Sequence, residues 1–188
     1  MKELSLNILD IAENSAKAKA SLTEIYIDET GSRLTLTIKD NGCGMSKDTL
    51  QTVTNPFYTT RTTRKVGMGL PLLKMAAEMT GGSMSVESKW EKDFPDDHGT
   101  VVTAIFNKDH IDFTPLGDVT ESICTLIQGH PELDFHFRHT SEGKVSAELQ
   151  TAELRLILED VPLNSYDVIN WIRDYLKEQY CESEKDAE

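Results

Sequence analysis

The chain has 188 residues, of which 38% are hydrophobic and 27% charged, with 11 glycines, 6 prolines and a net charge of −13. This balance excludes collagen-like, low-complexity and wholly disordered chains, and no apolar run approaches the roughly 20 residues that a membrane-spanning helix needs. The negative charge disfavours nucleic acid and anionic membranes as partners. Glu3, Asp10 and Glu13 make the N-terminus unlike a secretory signal, so we expect a cytoplasmic protein.

The first 110 residues are predicted to form helices and paired strands. Apolar residues recur at helical spacing near the N-terminus and again after residue 70, and they alternate with polar residues in four shorter segments. A polar, basic stretch over residues 46–66 is predicted to be a short helix followed by a mobile loop. The predicted elements are helices over 5–20, 47–53 and 70–79, and strands over 24–28, 33–39, 84–90 and 100–107.

The remaining residues differ from this first part in charge. Residues 1–109 contain 13 Lys or Arg and 15 Asp or Glu, whereas residues 110–188 contain 6 and 17. Such a shift indicates two units, and we predict one domain over 1–109 and a small acidic interaction domain over 110–188. The predicted elements after a linker over 109–115 are helices over 118–128, 152–158 and 166–180, a hairpin over 134–140 and 144–150, and a frayed tail over 182–188.

Together these elements predict an α+β fold: a two-layer sandwich of a mixed, mostly antiparallel sheet with helices on one face, plus a small C-terminal α+β domain. Trp171 and Tyr175 stand one helical turn apart, which favours packing over a partner surface. Three cysteines without a CxxC pair disfavour a disulfide framework or a zinc site. The predicted core of the C-terminal part is Phe135, Phe137, Leu149, Leu156, Ile169, Ile172 and Leu176.

Four polar residues of the first helix have the spacing of a single helical face. Asp10, Glu13, Asn14 and Lys17 stand at i, i+3, i+4 and i+7. An amide oxygen suits Mg²⁺, a lysine neutralises phosphate, and Asp10 can orient a water or hydroxyl as general base. Taken alone, the same pattern also describes the solvated face of an amphipathic helix.

A second group of candidates follows the strand over 33–39, in the segment Asp40-Asn41-Gly42-Cys43-Gly44-Met45. A carboxylate at a strand end can accept a hydrogen bond from an exocyclic amine such as that of adenine. Gly42 and Gly44 allow the backbone to approach a flat ring and to adopt positive φ. An ordinary Asn-Gly turn remains the alternative.

The third group lies in the polar loop and at the entry to the next helix. Gly67-Met68-Gly69-Leu70 precedes a helix, whose free N–H groups and positive dipole end favour a phosphate, and Arg61, Arg64 and Lys65 add cations that can close over it. Leu72 stands where the dinucleotide fingerprint has its third glycine, so that motif is incomplete, and the sequence has no P-loop.

In order and approximate spacing, the three groups resemble the ATP-binding domain of the superfamily of gyrase, Hsp90, histidine kinases and MutL, and the chain looks like a member of the histidine kinase type. Asn14 falls on the N box, Asp40-x-Gly42-x-Gly44 on the first glycine box, and Gly67-x-Gly69-Leu70 on the second. Residues 55–61, Asn-Pro-Phe-Tyr-Thr-Thr-Arg, resemble the aromatic box and lid. The resemblance covers about residues 3–107.

This resemblance implies ATP and Mg²⁺ as cofactors. It implies that Asn14 binds Mg²⁺, Asp40 receives the adenine amine and Lys17 approaches the phosphates. Asp10 occupies the position where ATP-hydrolysing members carry a glutamate, one methylene longer. The implied nucleotide-binding residues are Asn14, Lys17, Asp40, Gly42, Gly44, Met45, Arg61, Arg64, Lys65, Gly67, Met68, Gly69, Leu70 and Thr100.

Three functions stay open from the sequence. A sensor histidine kinase carries its phosphoaccepting histidine on a helix before the N box, and about a dozen residues precede Asn14 here. The first hypothesis is therefore a regulatory protein kinase resembling anti-sigma-factor kinases, which phosphorylate Ser or Thr of a partner. The second is a histidine-kinase-like subunit whose phosphoacceptor lies on another chain. The third is a non-catalytic ATP-dependent conformational switch.

Overall fold

A computed structural model of the chain describes residues 3–53 and 68–185. Six strands form one open sheet in the order β3-β4-β2-β1-β5-β6. Neighbouring strands are antiparallel except β1 and β5, which are parallel. The elements are α1 (Leu4–Lys17), β1 (Leu22–Thr30), β2 (Arg33–Asp40), α2 (Lys47–Thr52), α3 (Gly69–Met79), β3 (Ser83–Lys89), β4 (Gly99–Asn107), α4 (Val119–Gly129), β5 (Asp134–Ser141), β6 (Lys144–Gln150), α5 (Thr151–Leu158) and α6 (Tyr166–Lys185).

Apolar and polar residues alternate along the strands, and this alternation gives the sheet one apolar face. In β2, for example, Leu34, Leu36 and Ile38 are buried, while Thr35 and Thr37 on the opposite face are only half-buried. The amphipathic helices α1, α3, α4 and α6 supply the other half of the core, with Ile8 and Ile11 of α1 buried beside the strands. The predicted α+β fold with a mixed, mostly antiparallel sheet is confirmed.

The parallel pair β1–β5 joins the two halves of the chain in a single sheet. Ile25 of β1 lies opposite Phe137 of β5, and both side chains are buried in the same core. Near the start of α1, the backbone N–H groups of Leu4 and Ser5 donate to the carbonyls of Pro115 and Leu116. The predicted boundary between 1–109 and 110–188 falls in the connection between β4 and α4, and the domain division stays a prediction.

Two expectations for the C-terminal part are wrong. Leu156 was expected in the core, but its side chain is 82% exposed, whereas Leu154 of the same helix is buried. Helix α6 continues to Lys185, so residues 182–185 are helical where a frayed tail was expected. Hydrophobicity alone cannot say which apolar face of a short helix turns inward, because that depends on how the helix docks.

Two further sequence expectations concern loops and membranes. The predicted mobile loop falls mostly on residues 54–67, which lie outside the described residues. Within the described ranges, none of the helices has both the length and the apolar character that crossing a bilayer requires.

Candidate functional site

Residues of α1, β2 and β4 meet where β2 ends and β4 begins, and α3 starts beside α1. Asp40, the last residue of β2, pairs in register with Thr100 near the start of β4. Ser15 of α1 lies beside Asp40, and its hydroxyl donates to Asp40 Oδ2 at 3.2 Å. Gly69, the first residue of α3, lies so close to α1 that an added Cβ would stand 3.2 Å from Asp10 Cβ. Two separate predicted motifs thus converge on α1.

Two hydrogen-bond donors hold the Asp40 carboxylate. Oδ1 accepts the backbone N–H of Gly42 at 2.9 Å, and Oδ2 accepts the Ser15 hydroxyl at 3.2 Å. Burial raises the pKa of Asp40, and hydrogen bonding to the carboxylate opposes that rise without cancelling it. Two carboxylate oxygens offer about four acceptor positions, so positions remain for a further donor.

The glycine segment after Asp40 is packed into the protein on both sides. The backbone N–H of Cys43 donates to the carbonyl of Ala18 at 2.9 Å, and the Cys43 carbonyl accepts the N–H of Glu91 at 2.9 Å. Gly44 has φ +64°, and a Cβ there would stand 1.9 Å from the carbonyl oxygen of Lys89. An ordinary exposed Asn-Gly turn would not need these contacts, so the segment is a fixed wall of the site.

Asn41 and His98 make further contacts that hold the first part of the same segment. The side-chain oxygen of Asn41 accepts the backbone N–H groups of Ser21 and Leu22 at 2.9 and 3.0 Å. His98 Nδ1 lies 2.6 Å from the carbonyl oxygen of Gly42. These contacts position the segment between the start of β1 and the connection that leads into β4.

Ser88 connects Met45 to Thr100 and was not found from the sequence. Its hydroxyl oxygen accepts the backbone N–H of Met45 at 2.8 Å and lies 3.0 Å from Thr100 Oγ1. The hydroxyl also donates to the Gly99 carbonyl at 3.0 Å. A signal was present, because Ser88 alternates with Met84 and Val86 and so stands on the apolar face of β3. Ser15 was also missed, although it directly follows Asn14.

The polar residues of α1 do not all face the same neighbour. Glu13 Oε1 lies 3.0 Å from His130 Nε2 just beyond α4, while Asp10 lies beside Gly69 of α3. Asn14 is half-buried, and Asp10 and Lys17 are exposed. All four residues belong to one helix whose geometry places them on one face, with Glu13 at the edge of that face toward His130.

The remaining candidates divide between described and undescribed residues. Met68 is half-exposed just before α3, whereas Leu70 is buried in the hydrophobic core. Arg61, Arg64, Lys65 and Gly67 were also predicted to contact the ligand, and they lie outside the described residues.

The domain has a mixed sheet with helices on one face. Asp40 presents a fixed carboxylate at the end of β2, beside the helix that carries Asn14. These features define a domain of the ATP-binding α+β class. Residues 1–110 match the family described as "Histidine kinase-, DNA gyrase B-, and HSP90-like ATPase". The chain belongs to this family and carries its ATP-binding domain.

Curated relatives are sensor proteins of bacteria. The chain is 30% identical over 107 residues to a "Putative sensor protein" of Shewanella frigidimarina, a match that covers 56% of this chain and 15% of that protein. It is 31% identical over 101 residues to "Sensor histidine kinase YvrG" of Bacillus subtilis, over 50% of this chain and 16% of that protein. The match thus spans about a sixth of the length of these relatives.

Solved structures share the fold over a longer part of the chain. The ATPase domain of Aquifex aeolicus MutL complexed with ADP aligns with a TM-score of 0.52 and 16% identity, over 85% of this chain and 68% of that one. The N-terminal domain of a DNA repair protein aligns with a TM-score of 0.55 and 16% identity, over 79% of this chain and 53% of that one. The coverage extends beyond residue 110, so the shared fold includes part of the acidic half.

Proposed function

We propose that this protein binds Mg-ATP and acts in the cytoplasm as a regulatory protein kinase, which transfers the γ-phosphoryl group to a partner protein. The observation that carries the proposal is the Asp40 carboxylate, held by Ser15 and Gly42 at the end of β2. A fixed, half-buried carboxylate of this kind can accept the exocyclic amine of adenine. A base with an acceptor at that position, as in guanine, would meet the carboxylate unfavourably.

The neighbouring residues of α1 supply the groups that a magnesium–phosphate moiety needs. Among the described residues, no three His, Cys, Asp or Glu side chains form a metal-binding group, so Mg²⁺ would rest on the amide oxygen of Asn14 together with phosphate oxygens. Bound Mg²⁺ neutralises charge on the phosphates during transfer. Lys17 is exposed on the next turn, where its ammonium can approach the same phosphates.

In the proposed transfer, Asp10 accepts the proton of the attacking group. The acceptor oxygen or nitrogen of the partner forms a bond to the γ-phosphorus, the bond from that phosphorus to the bridging oxygen breaks, and ADP leaves with the bonding electrons. The exposure of Asp10 allows a partner hydroxyl to reach it. Gly67 and Gly69 would carry the chain around the triphosphate, with Arg61, Arg64 and Lys65 closing over it and Thr100 near the base.

One observation favours a non-catalytic switch as the second candidate. Gly69 at the start of α3 contacts Asp10, so a phosphate bound between these residues would change how α3 meets α1. ATP would then alter the surface shown to a partner without any transfer. A histidine-kinase-like subunit that phosphorylates a histidine of another chain is the remaining variant of the kinase proposal.

The test begins with calorimetry and ends with phosphate transfer. We expect ATP and ADP to bind, GTP to bind at least tenfold more weakly, and Mg²⁺ to tighten ATP binding. Incubation with γ-labelled ATP, Mg²⁺ and cell extract should then label a protein, with acid-stable label for Ser or Thr and acid-labile label for His. Nucleotide binding without any labelled protein would favour the switch, and the absence of binding heat for adenine nucleotides would overturn both proposals.

A further inference from the structure

Helix α6 carries an exposed face made of carboxylates and aromatic rings. The rings of Trp171 and Tyr175 stack with centroids 4.9 Å apart and planes 11° from parallel, yet the two residues remain 50% and 38% exposed. Exposed carboxylates occupy the same helical stripe before, between and after them. We call this the acidic aromatic face, and it consists of Asp167, Trp171, Asp174, Tyr175, Glu178 and Glu182.

The inward side of α6 is packed against the protein. Ile172 and Leu176 are fully buried in the core. Arg173 forms an ion pair with Glu121 of α4, and the amide of Gln179 bonds the backbone of β6. The sequence favoured packing for Trp171 and Tyr175, but the packing side of α6 is filled by these other residues. The aromatic rings are therefore directed to solvent.

The composition of this face fits one kind of partner. Tryptophan and tyrosine are the residues most enriched at binding hot spots, and their ring faces attract Arg and Lys side chains. The carboxylates on both sides of the rings add negative charge, in a half of the chain whose net charge is −11. The face runs from residue 167 to residue 182, or about 22 Å along the helix, which matches a peptide segment of ordinary helical length.

We propose that the acidic aromatic face docks a basic segment of a partner protein. Arginine or lysine side chains of that segment would lie on the Trp171–Tyr175 stack and pair with the surrounding carboxylates. This inference goes beyond the proposed function, because it assigns a docking surface outside the nucleotide site. It predicts that partners are selected by positive charge at this face and that docking does not require ATP.

Trp171 itself reports the binding. In a Trp90→Phe background, Trp171 is the remaining tryptophan of the chain, and its fluorescence can be followed during titration. The probe is a synthetic 16-residue amphipathic peptide with arginine on one face and leucine on the other. Two comparison peptides carry glutamine or glutamate in place of arginine. We expect the arginine peptide to bind at least tenfold more tightly than the glutamine peptide, and more weakly as salt increases.

Variants separate the rings from the charges, with binding measured by calorimetry. The double variant with Trp171→Ala and Tyr175→Ala should bind the arginine peptide at least tenfold more weakly than the wild type. Trp171→Phe should lose less affinity than this double variant, because it keeps a stacked ring. Asp167→Asn with Asp174→Asn and Glu178→Gln should weaken it at least fivefold. The matched control neutralises three exposed carboxylates of the β3–β4 connection and should change affinity less than twofold: Glu91→Gln, Asp93→Asn and Asp96→Asn.

Four outcomes would overturn the proposal. The first is a loss of affinity in the control triple variant as large as that in the α6 triple variant, which would indicate attraction to overall charge. The second is binding of the glutamine or glutamate peptide as tight as that of the arginine peptide. The third is normal binding by the double aromatic variant. The fourth is a dimer in sedimentation that Trp171→Ala dissociates, which would show that a second copy covers the face. ATP calorimetry on the same proteins keeps this test separate, because loss of nucleotide binding alone leaves the docking result intact.

Discussion

The Asp40 carboxylate is held in a partly buried position, although a charged carboxylate is more stable in water. Burial raises its pKa, so the folded protein binds the proton more tightly than the unfolded chain does. The ionised form at neutral pH therefore lowers the free energy of unfolding, and this cost is absent once pH falls below the ordinary pKa of an aspartate. Proteins commonly accept such costs at binding sites.

Asp40→Asn should consequently separate binding from stability. The amide presents a donor to the adenine amine, so adenine-nucleotide affinity should fall about 10- to 100-fold, the range for a lost hydrogen bond to a charged group. The thermal midpoint should be no lower than that of the wild type, because the buried charge is gone. Calorimetry and thermal unfolding measure the two quantities, with Asp96→Asn as an exposed control. Unchanged ATP affinity in the variant would show that Asp40 does not receive the base.

Asn14→Ala tests the metal ligand by itself. Loss of the amide oxygen should abolish the tightening of ATP binding by Mg²⁺, because that oxygen is the protein's proposed contact with the cation. Binding of ATP in the presence of a chelator should change less than threefold. Titrations with and without Mg²⁺ give both numbers, and a normal magnesium effect in the variant would remove Asn14 from the site.

Among single residues, the sequence pointed to those that belong to a short continuous motif. Asp40 and Gly44 could be predicted because a strand end followed by glycines is recognisable in one dimension. Ser15 and Ser88 were missed, since their hydroxyls act on partners 25 and 12 residues away, Asp40 and Thr100. The alternation of β3 places Ser88 on the apolar face of the sheet, but it does not identify the partner of its hydroxyl.

Among the elements, α6 has a second task besides its exposed face, because it closes one edge of the sheet. Strand β6 lies at that edge, where unpaired backbone groups invite pairing with another chain. The Gln179 side chain accepts the backbone N–H of Glu148 at 3.0 Å and donates to its carbonyl at 3.0 Å. One amide side chain thus satisfies both backbone groups of Glu148, as a neighbouring strand would.

Gln179→Ala should therefore weaken the fold and expose the edge. Two hydrogen bonds are lost, and we expect the free energy of unfolding to fall by about 1–2 kcal/mol, with faster aggregation at high concentration. Urea unfolding and light scattering measure these effects. Gln128→Ala, at an exposed position of α4, is the matched control. Equal stability of the two variants would contradict the role assigned to Gln179.

The elements themselves were largely predictable, because alternation and helical periodicity are strong in this chain. The strand over Arg33–Asp40, for example, was predicted to within one residue. The errors arose where an element can present more than one apolar face. Leu156 and Trp171 both look like core residues in one dimension, but Leu154 and Ile172 fill the corresponding positions in the packed protein.

Over the whole molecule, one ion-pair cluster connects both halves of the sheet at the end opposite Asp40. Glu29 of β1 lies 2.9 Å from His139 Nε2 of β5 and 2.8 Å from Lys108 Nζ beyond β4. The hydrogen bond with His139, aided by Lys108, lowers the pKa of Glu29 to about 2. A lowered pKa stabilises the fold above the ordinary pKa of glutamate, and this contribution disappears as pH falls toward 2.

Glu29→Gln should reveal that contribution as a function of pH. At pH 7 the variant should be less stable by up to about 3 kcal/mol, the value for a shift of this size at 1.36 kcal/mol per pH unit. The difference between wild type and variant should shrink between pH 4.5 and pH 2. Urea unfolding across this range measures it, and Glu153→Gln at an exposed position is the control. A difference that is constant with pH would assign the effect to packing.

The parallel pairing of β1 with β5 limits how the protein can be shortened. A fragment ending at Asp109 would retain every residue proposed to contact ATP, but it would lose strand β5, which pairs with β1, and helix α4, which packs against α1. Strand β1, with Ile25 and Ile27, would then be an unpaired edge of the sheet. We expect such a fragment to bind hydrophobic dyes and to unfold at a lower urea concentration than the full chain. Cooperative unfolding and full ATP affinity in the fragment would show instead that the acidic half is an appendage. The acidic half therefore supplies strands to the same sheet that presents Asp40, and the stability of the ATP site depends on it.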